Sequence, residues 1–132
     1  GIILGSNMLG CDIETEENFH FVTLPIVAAD VPETFTLDGF HNIDVTYIRP
    51  DDCTFFEGFD VSAGNNGLRN IVAIGSTLTQ QVCTQQVDSV SAVFTVNAQF
   101  NGTYNLRFYT GNDENGNPEY LEYEIPVVDG NN

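Results

Sequence analysis

The sequence predicts one all-β domain in which two antiparallel sheets pack against each other. From Phe19 onward, apolar and polar residues alternate with a period of two, which is typical of half-buried strands. Gly, Pro, Asn and Asp interrupt this alternation about every dozen residues, and no segment of helical period competes with it. A chain of 132 residues with 42% hydrophobic content has enough apolar material for one core but not for two.

Eight segments carry the strand pattern. They are Phe19–Val27, Thr34–Leu37, His41–Ile48, Thr54–Val61, Asn70–Leu78, Val90–Phe100, Thr103–Thr110 and Pro118–Val128. Their alternation predicts a core made by Ile43, Val45, Tyr47, Phe55, Phe59, Val61, Val72, Ile74, Leu78, Ala92, Phe94, Val96, Ala98, Phe100, Tyr104, Leu106, Phe108, Leu121, Tyr123, Ile125 and Val127. Side chains of this kind on two facing sheets would form a sandwich core about 10 Å thick.

Seven or eight strands in about 110 residues are typical of an antiparallel immunoglobulin-like β-sandwich. The segment Gly102-Thr103-Tyr104 resembles the G-x-Y turn of such domains, in which the Tyr hydroxyl reaches back to upstream backbone as a tyrosine corner. Tyr104 is the candidate for that role. The chain has no Trp and its cysteines do not match the antibody pattern, so the resemblance is to the broad sandwich class.

The three cysteines have different surroundings. Cys53 and Cys83 lie in the strand-rich region and are the expected disulfide, whereas Cys11 lies in a stretch without a strand pattern. A bridge that closes this loop would stabilise a small domain by about 3–4 kcal/mol and requires an oxidising compartment. The cysteine pattern therefore predicts an exported protein.

The segment 1–17 carries features of an export signal. Met8-Leu9-Gly10-Cys11 resembles a bacterial lipobox, in which the Cys sulfur receives a diacylglycerol, and the acidic run from Asp12 to Glu17 resembles the tether of outer-surface lipoproteins. We expect 1–17 to be a signal-peptide remnant, a lipid-attachment Cys and a tether, and 18–132 to be the single sandwich domain. The alternative is an ordinary charged tail followed by a free or modified thiol. If residues 1–10 stay in the mature protein, they are expected to form a flexible arm.

Taken together, the chain resembles small uncharacterised exported lipoproteins of Bacteroidetes-type bacteria that end in an all-β domain. The resemblance rests on Cys11 with its acidic tail, on the segment from Arg49 to Phe56, and on the segments from Arg107 to Gly111 and from Pro118 to Tyr123. It implies an outer-membrane or cell-surface location and a lipid anchor, and it implies no activity.

Charge excludes one class of partner. Nineteen acidic residues against three Arg and no Lys give a formal net charge of −16, which repels the phosphates of nucleic acids and anionic lipid surfaces. Contact with a membrane is expected only through a lipid anchor.

Catalytic and metal-binding patterns are incomplete. Asp113, Asn115 and Asn117 have the alternating oxygen ligands of a calcium loop, but Pro118 stands where an EF-hand needs Gly, so the sequence favours a hairpin with Asn115-Gly116 at its turn. Asp51 and Asp52 could be considered as a catalytic pair of carboxylates, but they fall in a turn beside Pro50. Glu122 and Glu124 fall on an outward strand face, where Arg107 is expected to pair with one of them. No catalytic residue, metal or cofactor is predicted.

The leading functional hypothesis is a non-enzymatic binding or accessory module, tethered outside the cell, whose partner is an unknown protein or glycan. Its candidate contact loops are Arg49–Asp52, Gly64–Arg69 and Gly111–Pro118. Two alternatives stay open: a structural subunit that assembles by edge-strand pairing, and a calcium-dependent carbohydrate-binding protein.

Overall fold

The computed structural model of the chain describes residues 18–130, which form nine strands. In chain order they are β1 (Phe19–Leu24), β2 (Ile26–Asp30), β3 (Phe35–Thr36), β4 (Phe40–Arg49), β5 (Thr54–Ala63), β6 (Leu68–Leu78), β7 (Asp88–Asn97), β8 (Thr103–Asn112) and β9 (Pro118–Val128). None of the described residues forms a helix long and apolar enough to cross a membrane. Cys11 and the rest of the predicted signal and tether lie outside the described residues.

The strands are distributed over two sheets. The small sheet has the order β2-β4-β7 and is antiparallel throughout. In the large sheet, β6 pairs with β5 along one side, and its other side is shared by β1 and β8. The sheet then continues from β8 through β9 to β3.

The all-β prediction is confirmed, with two differences in detail. The predicted segment Phe19–Val27 is two strands, because the chain passes from the large sheet to the small sheet at Pro25, which has no N–H to donate to a ladder. The described residues therefore hold nine strands where seven or eight were predicted. Two pairings, β6 with β8 and β9 with β3, are parallel, so the large sheet is mixed and not purely antiparallel.

The core lies between the two sheets. Tyr47 of the small sheet stacks on Phe56 of the large sheet with ring centroids 5.1 Å apart, and Phe94 packs edge-on against Phe59 and Phe108. The predicted inward faces of β4, β7, β8 and β9 are confirmed, since their members are buried or pack against the buried cluster.

The predicted faces of β5 and β6 are wrong in part. In β6 the inward residues are Ile71 and Ala73, not Val72, Ile74 and Leu78. The run from Ile71 to Ile74 is apolar at every position, so alternation alone cannot set its phase. In β5 a bulge between Phe56 and Gly58 shifts the phase, so Phe56 faces inward and Phe55 outward, while Val61 keeps its predicted inward face but is 44% exposed near the end of the strand.

Strand register defines two ends of the molecule. At one end lie the β5–β6 turn, the start of β4, and the loop from 98 to 102; we call it the Phe100 end. At the opposite end lie the loop from 50 to 53, the loop from 79 to 87 and the β8–β9 hairpin; we call it the disulfide end.

Candidate functional site

A cleft of about 280 Å³ opens between the two sheets at the Phe100 end. Its walls come from β7 on one side and from β5, β6 and β8 on the other, and the loop after β7 contributes Gln99 and Phe100. The residues that line this end cleft are Val61, Arg69, Phe94, Thr95, Val96, Asn97, Gln99, Phe100, Tyr104 and Leu106. Aromatic walls with a few polar groups are the usual composition of a small-molecule site.

Two glycines make room for the Phe100 ring beside the cleft. Gly67, with φ of +83°, ends the β5–β6 turn, and a Cβ on it would come within 2.9 Å of that ring. A Cβ on Gly102 would approach the same ring to 2.6 Å. Because both positions lack a side chain, the ring can pack directly on backbone and form a wall of the cleft.

Tyr104 fixes the Phe100 segment from the inside. It is 3% exposed, and its hydroxyl oxygen accepts a hydrogen bond from the Phe100 backbone N–H at 3.0 Å. The two rings meet edge to face with centroids 5.7 Å apart. This is the upstream backbone contact that a tyrosine corner requires.

Arg69 supplies the charge of the cleft. Its guanidinium lies over the Tyr104 ring, with Cζ 5.2 Å from the ring centroid, and its Nη1 donates to the Leu68 carbonyl oxygen at 2.9 Å. No carboxylate of the described residues forms an ion pair with it. The described residues that line the cleft include no Asp and no Glu, although the chain contains 19 of them.

The predicted disulfide is present between Cys53 and Cys83, with Cα atoms 5.6 Å apart. Hydrogen bonds between Asp52 and Thr84 join the same two segments. Asp52 and the two sulfurs lie close enough together to resemble a metal-binding group. The two sulfurs are bonded to each other, however, so this cluster holds the loop from 79 to 87 in place.

The candidate calcium residues lie in a hairpin at the disulfide end. One carboxylate oxygen of Asp113 accepts the backbone N–H groups of Asn115 and Asn117, both at 2.9 Å, and Gly116 has φ of +85°. These contacts are those of a tight turn. The loop therefore uses that oxygen internally, and the calcium hypothesis gains no support from its geometry.

Two other acidic residues singled out in the sequence also have structural partners. Asp51 accepts from the Cys53 N–H and the Thr54 hydroxyl at the start of β5. Glu122 faces Arg107 across β8 and β9, with its Oε2 3.7 Å from Nε, as predicted.

Of the three predicted contact loops, only Gly64–Arg69 contributes to the end cleft, through Arg69. The other two lie at the disulfide end. Phe94 and Phe100 were predicted only as core residues, and their role as walls of a cleft was missed. The sequence did offer one signal for the cleft, because Arg69 is one of only three Lys or Arg residues in the chain.

The chain was compared with protein-family models, with curated proteins and with solved structures, and none of these comparisons found a match. The chemistry of the end cleft is thus the basis for assigning a function.

Proposed function

We propose that the chain is a non-enzymatic binding module, held at the cell surface by a lipid on Cys11, that receives part of its ligand in the end cleft. The observation that carries the proposal is the cleft itself, about 280 Å³ between aromatic walls, with the Arg69 cation, which forms no ion pair with a carboxylate of the described residues. At roughly 30 Å³ per water molecule, this volume holds about nine waters, so a ligand group of about ten non-hydrogen atoms fits it. The partner is a small molecule or an exposed group of a surface protein or glycan.

The polar groups in the cleft support binding in preference to catalysis. Arg69 offers guanidinium N–H groups and Gln99 an amide, which hold and orient a ligand by hydrogen bonds, whereas the Thr95 hydroxyl already donates to Asn42 Oδ1 at 2.7 Å. A hydrolytic site would need a nucleophile beside a base, or two carboxylates across the cleft. The lining described above supplies neither arrangement.

The fold proposed for this module is an immunoglobulin-like sandwich in the broad sense. Support comes from the packing of side chains from two sheets in one core and from the Tyr104 contact with upstream backbone. Loops at the ends of such a scaffold present binding groups while the strands hold them in place.

The cleft can be tested by NMR on the isotope-labelled chain. The full chain is mixed with pools of neutral, acidic and basic compounds of about ten non-hydrogen atoms, and backbone amide shifts are followed. We expect saturable shifts that cluster at Arg69 and from Phe94 to Phe100. Shifts that never cluster there, with any pool, would remove the cleft as the binding site.

The anchor can be tested by intact mass spectrometry of the full-length precursor expressed in a bacterial host. We expect a mature chain that begins at Cys11 and carries acyl chains. The matched control is Cys11→Ser, which should be neither acylated nor cut at that position. A Cys11 that carries no acyl chain would contradict the proposed lipid tether.

Edge-strand assembly is the second candidate function, and one observation favours it. The ten-residue strand β7 pairs with β4 on one side only and ends the small sheet, so its other edge is open among the described residues. Sedimentation over a wide concentration range is the test. A chain that stays monomeric throughout would leave only the binding module.

A further inference from the structure

The three arginines share one packing mode and differ in their polar partners. Each guanidinium lies over an aromatic ring: Arg49 over Phe55, Arg69 over Tyr104 and Arg107 over Tyr120. Arg49 donates to the carbonyl oxygens of Thr54 and Asp52, which ties it to the loop beside the disulfide. Arg107 pairs with Glu122.

Arg69 is the exception, because among the described residues its guanidinium donates only to the neighbouring Leu68 carbonyl oxygen and pairs with no carboxylate. It is partly buried at the wall of the cleft. A guanidinium has five N–H donors in a planar fork, and the described residues accept a hydrogen bond from only one nitrogen of Arg69, Nη1.

The guanidinium is also held in place before any ligand arrives. It stacks on Tyr104, and Tyr104 is in turn fixed by the Phe100 N–H and by an edge contact with the buried Phe35. Binding to a group that is already oriented loses less conformational entropy. A planar, pre-positioned fork is suited to a carboxylate, which it can bind through two parallel hydrogen bonds.

From these observations we infer that the end cleft binds a carboxylate, with the acid group on Arg69 and an apolar group of the same ligand between Phe94 and Phe100. This inference rests on the proposed function, since it names the ligand class of the same cleft. The carboxylate belongs either to a free small acid or to the C-terminal residue of a polypeptide, because both present the same chemistry.

The net charge of −16 does not forbid an anionic ligand. Repulsion from exposed carboxylates is long-range and is largely screened beyond about 8 Å at physiological ionic strength. Contact with Arg69 is short-range and takes place where the lining residues that the structure describes include no Asp and no Glu. The local charge therefore favours the anion where it binds.

The test compares two probes that differ only in charge. N-acetyl-L-phenylalanine and its amide are titrated separately into the labelled full chain, and dissociation constants are taken from the shifts of Arg69 and of Phe94 to Phe100. We expect the acid to bind at least about tenfold more tightly than the amide. Two further probes, 3-phenylpropionate and a pentapeptide ending in Phe, distinguish the two sources of the carboxylate. Tighter binding of 3-phenylpropionate indicates a free small acid, and tighter binding of the pentapeptide indicates the C-terminal residue of a polypeptide.

Matched variants assign the preference to one side chain. Arg69→Met keeps an apolar stem and should bring the acid-to-amide ratio close to one. Arg107→Met removes the same charge on the outer face of β8 and should leave the ratio unchanged. If Arg69→Met does not give a native-like spectrum, the comparison of acid and amide on the unmodified chain decides by itself.

The outcomes separate the two proposals. Equal binding of acid and amide with shifts in the cleft would overturn the carboxylate inference and leave the binding module intact. A preference for the acid that survives Arg69→Met would also overturn the inference. Absence of saturable cleft shifts with acid, amide and the compound pools would overturn the proposed function as well.

Discussion

The hydroxyl oxygen of Tyr104 accepts the backbone N–H of Phe100 at 3.0 Å, four residues upstream in the chain. This one hydrogen bond connects the core to the cleft. Tyr104 is buried, and the Arg69 guanidinium lies over its ring. Phe100 forms a wall of the cleft. The position of the cleft residues therefore depends on a residue that the sequence identifies through its G-x-Y turn.

Tyr104→Phe should destabilise the domain. The substitution keeps the ring but leaves the Phe100 N–H without its acceptor, which costs about 1–3 kcal/mol of unfolding free energy when the donor stays buried. Urea unfolding measures this loss. The matched control is Tyr109→Phe, which removes a hydroxyl that donates to Asn112 near the surface and should change stability by less than about 0.5 kcal/mol. Equal losses in the two variants would contradict a special role for Tyr104.

Gly67→Ala should be more damaging than Gly116→Ala. Both glycines have φ near the left-handed region, +83° and +85°, so both substitutions carry a backbone cost of about 1–2 kcal/mol. At Gly67 the new Cβ also meets the Thr103 carbonyl oxygen and the Phe100 ring, whereas at Gly116 it meets nothing within 4 Å. Because both variants carry the same backbone cost, the difference between their melting temperatures measures the cost of the new contacts at position 67. The account fails here if Gly116→Ala is the less stable variant.

Loss of the disulfide should lower stability without changing the fold. The bridge joins residues 30 apart in sequence and holds a loop without regular secondary structure. We expect Cys53→Ala/Cys83→Ala to lose about 3–4 kcal/mol of unfolding free energy by the loop-entropy relation. Cys11→Ser in the same chain is the control and should unfold like the parent. A double variant as stable as the parent would show that the loop is held by its hydrogen bonds alone.

Stability should fall at alkaline pH because of Tyr47. Burial raises the pKa of this phenol above its ordinary value of 10.0, and the nearby Arg49 charge offsets this only in part. The folded state therefore keeps its proton where the unfolded chain loses it. The stabilisation is complete below about pH 10 and is lost as the pH rises through the folded-state pKa.

Unfolding free energies measured by urea between about pH 8 and pH 11 test this, with Tyr47→Phe compared with Tyr109→Phe. We expect Tyr47→Phe to flatten the alkaline decline and Tyr109→Phe to keep it. An unchanged decline in Tyr47→Phe would assign the effect to other groups.

The sequence predicts the strands well where one face is clearly polar. In β4, for example, Ile43, Val45 and Tyr47 alternate with Asn42, Asp44 and Thr46, and the inward face follows directly. In β6 the run from Ile71 to Ile74 gives no such contrast, so the phase depends on pairing with β1 and β5, which no local pattern shows.

The cleft was harder to predict, for a related reason. Arg69, Phe94 and Phe100 are separated in the chain and meet only because β6 and β8 run parallel and place the β5–β6 turn beside the loop after β7. A parallel pairing of this kind depends on long-range contacts. Cys53 and Cys83, by contrast, were predictable because only one pairing of the three cysteines lay within the strand-rich region.

The most direct test of the account is to observe a ligand inside the end cleft. Intermolecular NOEs between unlabelled N-acetyl-L-phenylalanine and the ¹³C-labelled chain report which rings the ligand touches. The account predicts NOEs from the ligand phenyl group to Phe94 and Phe100. NOEs to Phe21 and Phe55, which are exposed on the outer face of the large sheet, would contradict it by placing the binding surface outside the cleft.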